Sequence, residues 1–221
     1  MNMKSRRLSA THASYSGRCG PFEKNDLTMK NTILILLLFI SNACFTQSEN
    51  EQKSLSECAL ELTKQNVTYD PSYFSIDYPN GDVPSDIGVC TDVVIRAYRK
   101  KGIDLQKEVH EDMKANFNVY PKIWGLNKTD RNIDHRRVPN LMTFFKRKRA
   151  EELISNQAED YLPGDVVCWN LGGAITHIGV VVTRKSNDGK RNLIVHNIGG
   201  GQVLEDCLFH YKIIGHYRYK T

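Results

Sequence analysis

The stretch that most constrains this chain is Gly88-Val-Cys-Thr-Asp-Val-Val-Ile-Arg-Ala-Tyr-Arg99. Small or apolar residues fall at Cys90, Val93, Val94, Ala97 and Tyr98, the spacing that gives an α-helix one core-facing stripe. Arg96, Arg99, Lys100 and Lys101 occupy the other face or the last turn, where cations suit the negative end of the helix dipole. Gly102 is placed to end the helix in a left-handed conformation. The preceding Pro79-Asn-Gly-Asp-Val-Pro-Ser-Asp86 is dense in turn formers. Cys90 is therefore expected in the first turn, where unpaired backbone N–H groups and the positive dipole end favour thiolate over thiol. That position suits a nucleophile with a depressed pKa. A small buried hydrophobe, or half of a disulfide, fits the same pattern.

The first 44 residues read as lying outside the fold. Met29-Lys30 and Asn31-Thr32 precede an apolar run from Ile33 to Ile40, and Ser41-Asn-Ala-Cys44 supplies small residues for cleavage. This is the layout of a secretory signal over 29–44, too short to span a bilayer, which takes ~20 apolar residues. Residues 1–28 read as an upstream extension and 45–53 as a polar tether, leaving 54–221 as one domain. The expected product is exported, periplasmic or extracellular. Cys44 leaves a lipoprotein of the outer membrane open, although Ser41 stands where such signals carry leucine; that acylation is the one membrane attachment expected. The leader holds six of the 30 basic residues and two of the 25 acidic ones, so the remainder has a net charge of only +1. Nothing in that balance argues for nucleic acid. A monomer is expected.

Four cysteines remain, Cys58, Cys90, Cys168 and Cys207. An exported protein can pair them. None has C-x-x-C spacing and no histidines show H-E-x-x-H spacing, so neither metal nor cofactor is expected. Ser54-Leu-Ser-Glu57 matches a capping box and predicts a helix to about Asn66, with Leu55, Cys58, Ala59 and Leu62 inward. Further helices are expected over 107–116 and 141–154, the latter with a solvated run at 146–149. The last third is β in character: Asp165-Val-Val-Cys-Trp169, Thr176 to Thr183, the turn signal Ser186-Asn-Asp-Gly189, Asn192 to Ile198, and two short strands after it. Helices followed by antiparallel strands make an α+β domain.

Two histidines lie on the predicted hairpin. Alternation puts His177, Gly179 and Val181 on one face of their strand, and Ile194, His196 and Ile198 on one face of theirs. A turn centred between Ser186 and Asn187 sets His177 opposite His196. A cysteine at a helix start and a histidine on a strand are the parts of a cysteine–histidine dyad, with a third polar group to orient the imidazole. Asn197, on the other face, is the rival for that third position. Each histidine taken alone fits a hydrogen-bonded half-buried residue equally well.

Tyr78-Pro-Asn-Gly-Asp, Gly88-Val-Cys-Thr-Asp, Gly102-Ile-Asp-Leu, Pro163-Gly-Asp-Val-Val, His177-Ile-Gly-Val-Val and Ile194-Val-His196 follow one another in an order that resembles NlpC-type papain-like cysteine peptidases, bacterial enzymes that cut amide bonds in peptidoglycan stem peptides. With His-Glu-Asp-Met at 110–113 and Asp-His-Arg-Arg at 134–137, the chain is also similar to the family called domain of unknown function 1287, over Tyr69 to Tyr219. The resemblance implies a papain-like fold, Cys90 as nucleophile, His177 as base, His196 as orienting residue and Tyr78 near substrate and oxyanion. The flanks of Cys90 depart from the usual Asp-Cys-Ser-Gly, and the segment between Gly102 and Pro163 is much longer than in the compact enzymes.

Asp92, beside the nucleophile, and Asp134, His135 and Arg136, between turn signals, join Tyr78 as candidate substrate-binding residues. Arginines such as Arg136 and Arg137 bind carboxylates bidentately, here that of a stem peptide; an internal salt-bridge network fastening the long segment to the domain is the alternative. The expected function is an exported cysteine amidase or peptidase acting on wall peptides through a thioester. A non-catalytic wall-binding module, or a thiol hydrolase or transferase on another acyl substrate, is the alternative.

Overall fold

The computed structural model describes residues 53–220. The signal at 29–44 and most of the tether lie outside the described residues. Helix α1, Leu55–Leu62, starts at a complete capping box: Glu57 N–H donates to Ser54 Oγ, and Ser54 N–H donates to Glu57 Oε2 at 2.8 Å. It stops short of Asn66, where the Thr63 hydroxyl donates to the Leu60 carbonyl. Two-residue strands β1, Thr68–Tyr69, and β2, Ile87–Gly88, pair in parallel. Helix α2, Cys90–Lys100, follows at once and is closed by Gly102 at φ 82°. Helix α3, Leu105–Ala115, begins two residues before the expected start because Asp104 caps it, accepting from Lys107 N–H at 3.1 Å.

Helix α4, Val138–Arg147, is displaced from the expected 141–154. Pro139 sits in its first turn, where its missing N–H costs nothing. Its end is enforced by Arg149 at φ 58° and by Ala150 N–H donating back to the Phe145 carbonyl.

Strands β3 (Val166–Gly172), β4 (Ile175–Lys185), β5 (Asn192–His196), β6 (Val203–Glu205) and β7 (Lys212–Tyr217) form one antiparallel sheet in the order β6-β5-β4-β3-β7. The described domain is thus α+β, with four α-helices and a five-stranded antiparallel sheet. Both faces are buried. Val166, Cys168, Ile178, Val180, Val182 and Val195 share a core with the helices, into which α2 sends Val94, Ala97 and Tyr98. Val167, Trp169, Val181 and Ile194 pack on the other side with Tyr161, Cys207 and Leu208. All four cysteines of the described residues are free and buried, so the pairing open to an exported chain is not made.

The hairpin register differs from the expected one. Lys185 pairs with Asn192, so the turn occupies 186–191 and is centred two residues late. An irregularity in β4 between Val181 and Lys185 takes back half of that offset, and Val180 then pairs with Val195. His196 therefore lies opposite Gly179, with His177 one pleat further along. A two-residue displacement preserves the face, where a slip of one would have reversed it.

Candidate active site

Three contacts hold the start of α2. Val89 N–H donates to Asp92 Oδ2 at 2.7 Å, a carboxylate reaching back over the first turn. The β1–β2 pairing sets Tyr69 beside Gly88. Asn197, just past β5, donates to the Gly88 carbonyl at 3.1 Å. Cys90 is only 7% exposed, and its thiol meets the backbone N–H groups of Ile178 in β4, of Thr91 and of its own residue. Those donors favour thiolate, but burial outweighs them and pushes the thiol up to about 12. The helix-start argument counted dipole and donors but not the loss of solvent, which acts in the opposite direction and is the largest influence on this thiol.

His177 Nε2 lies 2.8 Å from His196 Nδ1, and His196 Nε2 lies 2.8 Å from Glu205 Oε2. A carboxylate at Glu205 accepts a hydrogen bond from His196 Nε2–H. His196 Nδ1 is then an acceptor for His177 Nε2–H, which leaves the lone pair of His177 on Nδ1. Trp169 lies along His177, with ring centroids 5.8 Å apart. Burial holds His177 neutral, down to about 3, with a further push from His196. Burial also lowers His196, partly offset by the Glu205 bond. Cys90 and His177 make no hydrogen bond to each other; the thiol faces the N–H of the next strand residue, Ile178. Asn197 is turned to the α2 approach rather than to His177.

His196, Glu205 and Cys207 offer ligand atoms within 4.8 Å of one another, donor types that suit a soft divalent cation. Glu205 was not singled out from the sequence. Its signal is β6: Glu205 pairs with Ile194, so by alternation it shares a face with His196.

Cys90 opens on a cleft of about 230 Å³ lined also by Tyr69, Trp124, Arg136, Arg137 and Thr176. Of the substrate-binding candidates, Arg136 is in this lining and Asp92 lies beneath it. The two grip each other, Nε to Oδ1 at 2.8 Å and Nη2 to Oδ2 at 2.9 Å, with both side chains 2% exposed. Asp134 is buried, accepts from Asp130 N–H and is raised by burial to about 6. His135 is buried and lowered to about 3 by the same cause. Tyr78 stands elsewhere, edge-on to His110 at 5.2 Å and beneath the Arg131 guanidinium. The tyrosine in the cleft is Tyr69, 40% exposed, its phenol raised first by burial and then by Cys90 and Asp92. In the sequence Tyr69 stands out only as the start of the family resemblance; its parallel pairing with Gly88 is a long-range contact without a local signature.

The site thus holds a buried thiol in the first turn of α2, a neutral imidazole on β4 and a second imidazole backed by a carboxylate on β6, with no hydrogen bond between the thiol and either imidazole. The family model described as "Domain of unknown function (DUF1287)" matches residues 56–219. A protein of Escherichia coli (strain K12) described as "Uncharacterized protein YijF" is 48% identical over 170 residues, covering 77% of this chain and 82% of that one. The chain belongs to the DUF1287 family.

Proposed function

We propose that this DUF1287 protein is an exported cysteine amidase or peptidase of papain-like, NlpC-type architecture that hydrolyses amide bonds in peptidoglycan stem peptides. The observation that carries the reading is the chain of side chains His177, His196 and Glu205 on three neighbouring strands, joined by two contacts of 2.8 Å, with His177 next in sequence to Ile178, whose N–H meets the Cys90 thiol.

The resting pair is neutral thiol and neutral imidazole. As substrate fills the cleft, the thiol turns from Ile178 N–H toward His177 Nδ1 and gives up its proton there while sulfur attacks the amide carbon. The carbon–sulfur bond forms and the carbonyl oxygen takes the charge, held by the backbone N–H of Cys90, with Tyr69 in the position the resemblance gave to Tyr78. The imidazolium returns its proton to the leaving amine, the carbon–nitrogen bond breaks, and water hydrolyses the thioester with His177 again as base. Proton transfer during attack suits a thiol held as high as about 12 better than a preformed thiolate does.

That same high value is what favours the second reading, a wall-binding module on the same fold without turnover. Residues 45–221 incubated with wall fragments distinguish the two. New amine termini that disappear in Cys90→Ala establish hydrolysis. Cys90→Ala that retains wall affinity and cellular function, with no new termini from the wild type, establishes the module. Mass spectrometry of the native N-terminus tests export: a mature start between Cys44 and Glu49 is expected, acylated Cys44 marking a lipoprotein, and an intact Met1 on cytoplasmic protein overturns it.

A further inference from the structure

The cleft holds a second cation whose one ion pair, with Asp134 at 3.9 Å, is made without a hydrogen bond. Arg136 is fully engaged by Asp92. Arg137, the next residue, makes no side-chain hydrogen bond among the described residues, and its Nη1 is buried without a partner. Its nearest carboxylate oxygen, Asp134 Oδ1, stands at 3.9 Å, beyond hydrogen-bond reach, and is itself unpartnered. The guanidinium lies over the Trp124 indole, 4.1 Å from its centroid. Trp124, Arg137 and Cys90 line the same cleft.

We propose that Arg137 is an anion subsite for the reaction at Cys90, and that the preferred substrates are amides carrying a free carboxylate close to the bond cut. This rests on the reading of Cys90 as a nucleophile and narrows its substrate class. A guanidinium with unused donors on a cleft wall is the usual partner of a carboxylate, which it grips through two parallel N–H bonds. Stacking on Trp124 fixes its plane before substrate arrives, so little side-chain freedom is lost on binding. The side chain is 17% exposed, enough to be reached from the cleft. Asp134 is the one acidic neighbour in ion-pair range, and burial holds its carboxyl toward the neutral form, with a value of about 6. At 3.9 Å and without a hydrogen bond, this internal carboxylate leaves the guanidinium donors open to a substrate carboxylate.

The test uses thiol alkylation, which needs no known substrate. N-bromoacetyl-glycine and N-bromoacetyl-glycylglycine each place a carboxylate at a defined reach from the reactive carbon; their terminal amides are the neutral controls. Rates of Cys90 modification are read by peptide mass spectrometry, which separates Cys90 from the other buried thiols. The acid-to-amide rate ratio is divided by that of free cysteine in the same buffer. For at least one reagent the corrected ratio is expected to exceed about tenfold, equivalent to about 1.4 kcal/mol, and to fall with rising salt. It collapses toward one in Arg137→Gln and is partly kept in Arg137→Lys, which retains the charge without the fork. Using a ratio removes general changes in thiol reactivity, and far-ultraviolet circular dichroism checks folding of both variants. Modification of Cys90 with a ratio near one for every reagent, or a ratio that survives Arg137→Gln, overturns the subsite and leaves the nucleophile reading standing. No modification of Cys90 by any reagent overturns both.

Discussion

At the scale of single residues, the proposed mechanism asks the most chemistry of the two residues with the least sequence signal, Glu205 and Tyr69. Glu205 is 48% exposed in its side chain yet ends the buried His177–His196 pair. Acceptance of a hydrogen bond from His196 Nε2–H, rather than charge alone, sets the imidazole tautomers. Glu205→Gln keeps a carbonyl acceptor and is expected to retain most turnover, whereas Glu205→Ala lowers kcat about 10- to 100-fold with KM within about twofold. Loss of kcat in both variants alike would mean the carboxylate acts otherwise. For the tyrosines, Tyr69→Phe should cut kcat/KM by about tenfold or more, while Tyr78→Phe, whose ring packs on His110, should leave it nearly unchanged. The reverse result would return the oxyanion role to Tyr78.

At the scale of elements, the register of β4 on β5 decides the site, and one missing side chain permits it. A Cβ on Gly179 would lie 2.7 Å from Ile194 Cγ2 and 3.1 Å from His196 Cβ. Gly179→Ala therefore pushes His196 from His177. The expected cost is about 1–3 kcal/mol of stability and a kcat loss larger than the fall in folded fraction explains, read by denaturation and by turnover on one sample. The α2 start is held differently. Arg136→Met leaves Asp92 buried without its cation, which should destabilise by about 3–5 kcal/mol; a change under about 1 kcal/mol in urea denaturation would show the pair to be solvated after all. Period and caps made these elements readable in the sequence: the stripe Cys90, Val93, Val94, Ala97, Tyr98 marked α2, Ser54 and Glu57 marked α1, and alternation placed His177 and His196 on one face. What escaped depended on contacts distant in the chain or on geometry without a residue code. Bulges in β4 have no fixed sequence, so the pairing came out two residues away. The Tyr69–Gly88 pairing spans a loop, and the Asp92–Arg136 grip spans 44 residues, so Arg136, read as substrate-facing, is held from within, while Arg137 has only a 3.9 Å ion pair and no hydrogen bond.

At the scale of the whole molecule, the buried titratable groups bound the pH range in which the domain holds together. His135 and His177 are both held near 3 by burial, against an ordinary 6.5. Below about pH 6.5 the unfolded chain takes up protons that the folded one refuses, so stability is complete above that value and declines as pH falls toward 3. Each group forfeits on the order of 4 kcal/mol over that interval. Two groups act in the other direction. His216, raised by its bonds to Asp165 and the Leu153 carbonyl, and Asp134, raised to about 6, both bind protons more readily in the fold and soften the decline without reversing it. At the alkaline end Cys90 and Cys207 are each pushed to about 12. Above the ordinary thiol range of about 8.5 the unfolded chain ionises them and the folded one does not, so stability falls again as pH rises. Urea midpoints measured from pH 4 to 10 should therefore pass through a maximum between about 6.5 and 8.5, and Cys90→Ala should make the alkaline limb shallower, the other raised thiols keeping the rest of it, while leaving the acid limb in place. An alkaline limb as steep in Cys90→Ala as in the parent would mean that the thiol ionises freely in the fold. The preformed thiolate expected of a helix start would then replace proton transfer during attack.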